Sequence, residues 1–196
     1  MGKSVEFFYD FVSTPCFIAW KVLPALLETA GASLVLTPVL TAGIQKATGN
    51  PGPLAYPDKR DWYVRDLALW IRKRGLTVSP ELHVPFRSLD VLRGSFIAAE
   101  RNETTRYVGA VFGAVFEQGR NLDDMAVVRQ CLDGAGLDVK AYLEGIERAD
   151  VKDRLRQSTD DALARRVFGV PTFMVDGELF FGQDRIEFVM DALGRA

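Results

Sequence analysis

Histidine occurs once and cysteine twice in these 196 residues, and each scarcity excludes a class of chemistry. A single imidazole, His83, supplies neither a histidine-rich metal site nor a Ser-His-Asp triad, so no metal is expected and His83 reads as a loop or surface residue. Cys16 and Cys131 are too far apart in sequence to form a local motif, and two cysteines in a chain of this size make no disulfide scaffold. Charge of one sign is lacking as well: 24 Lys and Arg against 26 Asp and Glu leave a net charge of −2 and no basic field for nucleic acid. No apolar run approaches the roughly 18 residues that a membrane span needs. The opening MGKSVEFFYDF becomes strand-like at once, without the apolar stretch and small-residue cleavage site of an export signal. The expected setting is therefore the cytoplasm and the expected partner a small molecule, with no nucleic acid and no membrane.

What is present is ample apolar material, 48% of the chain, enough for one large domain or a small domain carrying an insertion. Residues 5–9 are β-rich and apolar, residues 15–29 repeat at helical spacing, and residues 33–39 read as a second strand after Gly31 and Ala32. That is one βαβ unit with a parallel pair. Residues 41–57 hold Gly43, Gly49, Asn50, Pro51, Gly52, Pro53 and Pro57, a composition that predicts a long irregular loop, and such loops are usually functional. Helical patterns then fill residues 58–74, 88–101, 103–118, 122–134, 138–146 and 151–167, with no convincing strand among them. The end returns to β: residues 172–175, an Asp176-Gly177 turn, residues 178–181, then a last helix over about 184–193. The order βαβ, helices, ββα is that of an α/β thioredoxin-like core, here residues 1–40 and 150–196, with an all-helical insertion at 58–149. No repeat or low-complexity tract interrupts it.

Where the first strand meets the first helix stands Ser13-Thr14-Pro15-Cys16. Ser13 is a good N-cap and Pro15 suits a first helical turn. Ser13 is therefore an ordinary cap, or it stands beside an anion, since the free N–H groups and dipole of a helix N-terminus favour a thiolate there.

Four segments in order resemble one family. Phe8 to Ala19, FYDFVSTPCFIA, is similar to its FYDF-x-S-P-x-S-Y-L-A start, and Gly49-Asn50-Pro51-Gly52-Pro53 to its Gly-Asn-x-x-P element. Tyr107 to Gly119 is similar to its Y-V-x-x-V-F-x-A-V segment, and Phe168 to Thr172 with Phe181-Gly182-Gln183-Asp184-Arg185 to its ending. The family is that of the 2-hydroxychromene-2-carboxylate isomerases, related to kappa-class glutathione transferases, and the resemblance covers nearly the whole chain.

The resemblance implies glutathione as cofactor, a small aromatic carboxylate as substrate and a homodimer. It makes Ser13 the catalytic residue, whose hydroxyl keeps the glutathione sulfur as a thiolate. It implies a cis Val170-Pro171 bond whose backbone pairs with the peptide, and it gives Phe181, Gly182, Gln183 and Asp184 to the γ-glutamyl end and Lys59 to the glycyl carboxylate. On the residues alone, Asp184 is equally a helix cap and Lys59 a solvated charge. Gln45, Lys46 and Asn50, with Phe86 and Arg87, fall where the family contacts substrate. The activity implied is isomerisation of a hydroxychromene carboxylate to its trans benzylidenepyruvate in aromatic degradation, by reversible conjugate addition of the thiolate. A kappa-like transferase is the alternative; a disulfide oxidoreductase or a non-catalytic binding module follows behind. Cys16 falls where dithiol enzymes keep their second cysteine, but with Ser13 in place of the first it has no partner and reads as a small buried residue.

Overall fold

Phe7, Phe8 and Tyr9 are all fully buried, although a half-buried strand would alternate, because the first strand runs through the middle of a sheet covered on both faces. The computed structural model describes residues 3–195. Its four strands are β1 (Ser4–Tyr9), β2 (Ser33–Pro38), β3 (Thr172–Val175) and β4 (Glu178–Phe181), in the spatial order β2-β1-β3-β4. β1 pairs parallel to β2, with Tyr9 opposite Pro38, and antiparallel to β3, with Phe8 opposite Thr172. β3 and β4 form a hairpin through Asp176 and Gly177, whose φ values of 48° and 86° are those of the tight turn that the Asp-Gly pair predicts. This is the thioredoxin-like arrangement.

The crossover between β1 and β2 is helix α1 (Thr14–Thr29), which buries Phe17, Ile18, Leu23 and Leu27 and ends where Gly31 takes φ 64°. Between β2 and β3 the chain is helical: α2 (Thr41–Thr48), α3 (Pro57–Lys73), α4 (Leu89–Glu100), α5 (Thr104–Phe112), α6 (Met125–Gly134), α7 (Val139–Gly145) and α8 (Ala149–Ala164). A last helix, α9 (Ile186–Arg195), follows β4. Phe7 and Tyr9 lie in the larger core with α1 and α5, where Phe11, Phe17, Phe112 and Phe116 pack ring against ring. Phe8 lies in a second cluster with Val39, Ile44, Ala162 and Val167.

Two expectations from the sequence are corrected. Residues 41–57 are not irregular throughout: Thr41 to Thr48 are α2, and residues 53–55 make a short 3-10 turn. The glycines in this stretch do not break the helix. Gly43 sits inside it, where an added Cβ would come 3.3 Å from Thr159 Cγ2 on α8, and Gly49 ends it at φ 67°. Nor is the helical pattern over 103–118 a single α-helix. From Gly113 to Glu117 it widens to a π-helix, so that Phe116 offers its carbonyl to the Ser79 N–H at 2.7 Å and Ala114 its carbonyl to Arg120 N–H at 2.8 Å. Gly119 follows at φ 63° with no room for a side chain, since a Cβ would stand 2.2 Å from the carbonyl oxygen of Glu81.

Candidate functional site

The strand directions decide what meets at one end of the sheet. β1 and β2 are parallel, so α1 and α2 both begin at their carboxyl ends, the usual ligand edge of such a sheet. β3 is antiparallel to β1 and starts opposite Phe8, which brings Val170 and Pro171 to the same edge. β4 ends opposite Thr172, so Gly182 arrives beside them, its N–H donating to Pro171 O at 2.9 Å. Ser13, the Val170-Pro171 loop, the Gly182–Asp184 turn and the start of α2 therefore share one edge, although they are far apart in sequence.

Ser13 caps α1. Its backbone is extended, φ −96° and ψ 109°, and its Oγ accepts from the Cys16 N–H at 3.3 Å. Its own N–H donates to Asp10 O at 3.1 Å, closing the turn after β1. Ser13 is half-buried. Cys16 is fully buried, and desolvation pushes its thiol up to about 12, against which the Ser13 hydroxyl works only in part. A thiol held neutral and away from solvent is a packing group, which agrees with the reading from sequence.

Val170-Pro171 is cis, as the resemblance implied; a second cis bond, Val84-Pro85, was not anticipated. Among the described residues the Val170 N–H makes no hydrogen bond within the chain, leaving a donor for an extended ligand. Gly182 has φ 107°, and a Cβ there would lie 2.4 Å from Asp184 Oδ1, so only glycine lets the Asp184 carboxylate fold back over this turn. Among the described residues Asp184 accepts from no backbone N–H. Its carboxylate is exposed and accepts from Arg185 Nη1 at 2.8 Å. Gln183 is 5% exposed, and its Oε1 is buried with no hydrogen-bond partner. Phe181 is exposed and lies against Phe168, ring centroids 4.7 Å apart.

On α2, Gln45 uses its amide to donate to Pro51 O at 3.1 Å, while Lys46 is exposed and, among the described residues, in no ion pair. Asn50 accepts from Gly52 N–H at 3.0 Å, shaping the turn beyond the helix. Lys59, in the first turn of α3, holds its ammonium 4.8 Å from the Tyr56 ring centroid. Phe86 is buried in the larger core, and the exposed Arg87 guanidinium donates to Asp90 Oδ2 at 2.8 Å. His83 is exposed.

Two residues at this edge were not among the expected site residues. Tyr63 of α3 faces α1 near Cys16, its phenol pushed up by burial and then by the neighbouring Cys16; in sequence it is one more apolar position on an amphipathic helix. Asp10 is 1% exposed and touches both the Ser13 turn and α2. Its signal was the Asp of the FYDF segment, a carboxylate inside an apolar strand end. A cavity of about 280 Å³ opens elsewhere, on the Phe8 face of the sheet, among Glu6, Phe8, Thr37, Phe96, Arg154 and Arg165. It includes none of the candidate site residues.

No helix of the described residues is long and apolar enough to cross a membrane. Compared with known proteins, residues 4–194 match the family described as a DSBA-like thioredoxin domain. The chain is 26% identical to a 2-hydroxychromene-2-carboxylate isomerase of Sphingobium xenophagum over 191 residues, covering 96% of this chain and 97% of that one. It is 26% identical to glutathione S-transferase kappa 1 of Homo sapiens over 210 residues, covering 99% and 92%. A solved structure of a 2-hydroxychromene-2-carboxylate isomerase superimposes with a TM-score of 0.89 at 26% identity, covering 98% of this chain and 95% of that one. With its fold and the match running from β1 to α9, the chain belongs to the DSBA-like thioredoxin family, and is similar over its full length to the isomerases and kappa transferases within it.

Proposed function

We propose that this protein is a glutathione-dependent isomerase of 2-hydroxychromene-2-carboxylate-like aromatic acids. The observation that carries the reading is the shared edge: a serine at a helix N-terminus, a cis-proline loop with a free N–H, and a glycine turn bearing a carboxylate, all at the carboxyl ends of the parallel strands. The residues fit the tripeptide. The Val170 N–H is an unused donor for its backbone, the buried Gln183 Oε1 is an acceptor awaiting an N–H, and Asp184 is a carboxylate for its ammonium. Lys59 is a cation for its glycyl end.

Bound there, glutathione would supply a thiolate for reversible conjugate addition to the ring-opened substrate. Ser13 donates its hydroxyl hydrogen to that sulfur, and the α1 N-terminus adds its partial positive charge, so the charged form persists at neutral pH. Lys46, in no ion pair among the described residues, offers its cation to the substrate carboxylate. Arg87 is a weaker candidate because Asp90 already engages it. Cys16 takes no part, and without a cysteine at position 13 there is no dithiol for disulfide exchange.

The test is a panel with and without glutathione on a hydroxychromene carboxylate, an electrophilic aryl halide and a protein disulfide. Isomerisation that needs glutathione and leaves its concentration unchanged is the expected result. Net consumption of glutathione into a thioether would make the protein a kappa-like transferase, and turnover of the disulfide alone would overturn both readings.

A further inference from the structure

Asp10 is a buried carboxylate with no cation paired to it among the described residues, and it stands where three separate parts of the chain meet. Its Oδ1 accepts from the Val12 N–H at 3.3 Å, in the turn that delivers Ser13. Its Oδ2 accepts from the Thr41 N–H at 2.9 Å, the first residue of α2. The Ser88 hydroxyl, 4% exposed at the start of α4, lies close enough to favour its charged form. Those three segments lead to Ser13, to Gln45, Lys46 and Asn50, and to Phe86 and Arg87. α2 has no local cap, Leu40 being its N-cap, so the Asp10 carboxylate satisfies its first amide from across the chain and also faces its positive end.

We propose that Asp10 is a positioning residue, a buried strut that fixes the Ser13 turn, the start of α2 and the start of α4 at set distances and so aligns the sulfur end of the site with the end that receives the substrate carboxylate. The kinetic part rests on the isomerase reading; the mechanical part does not. Burial is the largest influence on the carboxyl and raises it from its ordinary value, while the Thr41 amide, the Ser88 hydroxyl, the Val12 amide and the Thr41 hydroxyl oppose that rise. A group kept at that cost without a cation is held by geometry.

The experiment uses Asp10→Asn and Thr41→Pro in the full chain. An amide offers one oxygen to two N–H donors, so Asp10→Asn must release one arm. Proline is favoured in the first turn of a helix, so Thr41→Pro removes only the α2 arm and leaves the helix able to form. Two readouts are taken: amide hydrogen exchange without ligands, and glutathione affinity beside the substrate kcat and KM. The strut predicts that protection falls together, by about ten-fold or more, through residues 12–17, 41–48 and 88–92 in Asp10→Asn. It predicts kcat/KM for the chromene acid down by about ten-fold or more in both variants, with glutathione affinity within about three-fold of wild type. Exchange that changes only at the Val12 and Thr41 amides would overturn the proposal. So would kinetics lost only in proportion to the unfolded fraction. If wild type isomerises nothing while the joint loss of protection appears, the strut stands and the isomerase reading alone fails. Should Asp10→Asn not fold, Thr41→Pro carries the same comparison between α2 and the Ser13 turn.

Discussion

Ser13→Ala removes one oxygen that serves two purposes, and the structure separates them by size. The capping bond to the Cys16 N–H is 3.3 Å, at the long end for an N–H···O bond. Its loss should cost about 0.5–1 kcal/mol, or roughly 1–4 °C in melting temperature for a chain of this size. The bond to a bound thiolate is charge-assisted and worth about 1.5–3 kcal/mol. Such a bond lowers the pKa of the bound thiol by roughly one to two, at 1.36 kcal/mol each. Because Ser13 favours the charged sulfur, its removal raises the thiol pKa, and the acid limb of the rate profile moves to higher pH. At neutral pH turnover falls by about ten-fold or more and recovers as the pH is raised. Thermal unfolding measures the cap; thiolate absorbance of the glutathione complex and kcat/KM against pH measure the chemistry. If the melting temperature falls as stated while the rate profile stays in place, Ser13 is a cap only and the catalytic assignment is refuted.

Cys16→Ser should leave glutathione-dependent turnover within about three-fold, because a buried neutral thiol only packs; loss of activity in a folded protein would point to thiol chemistry at Cys16. Asp184→Asn should raise the glutathione dissociation constant by about ten- to hundred-fold, as expected for one charged hydrogen bond, and barely alter the melting temperature, since the Asp184–Arg185 pair is exposed. Equal affinities by titration calorimetry would remove Asp184 from the site. Gly94→Ala should destabilise by about 1–4 kcal/mol: a Cβ would fall 2.0 Å from the Tyr107 hydroxyl, which now donates to Val91 O at 2.6 Å, and the gain in helix propensity only partly offsets that. Denaturant unfolding with an unchanged midpoint would show that Tyr107 can move aside freely.

The elements that carry the fold were legible because their signals are local. Ser13 and Pro15 mark the start of α1, Gly31 its end, and Asp176-Gly177 a hairpin that has the expected turn. α2 was missed because what satisfies its first amide is Asp10, 31 positions earlier, and because Gly43 serves close packing on Thr159, a role that a glycine in sequence does not announce. The π-helix at Gly113–Glu117 keeps the apolar spacing of an α-helix and reveals itself only through which carbonyls reach Ser79 and Arg120. For the candidate site, the motif residues around Ser13 and Gly182 could be read in the string. Their meeting could not, since it follows from strand direction and register. Asp10 stood in the FYDF motif without showing what it would join, and Tyr63 was one more apolar position on its helix.

The hairpin that brings Val170 and Gly182 to the ligand edge also sends Asp176 and Gly177 to the other end. Four residues of β3, at about 3.3 Å each, set the turn roughly 13 Å from the Val170-Pro171 loop along the sheet. Both turn residues are exposed, and their backbone carries the hairpin's own geometry rather than any contact with the candidate site. That makes the tip a natural anchoring point: a fluorophore, an affinity handle or a surface tether attached there would hold the molecule with its working edge facing outward into the medium.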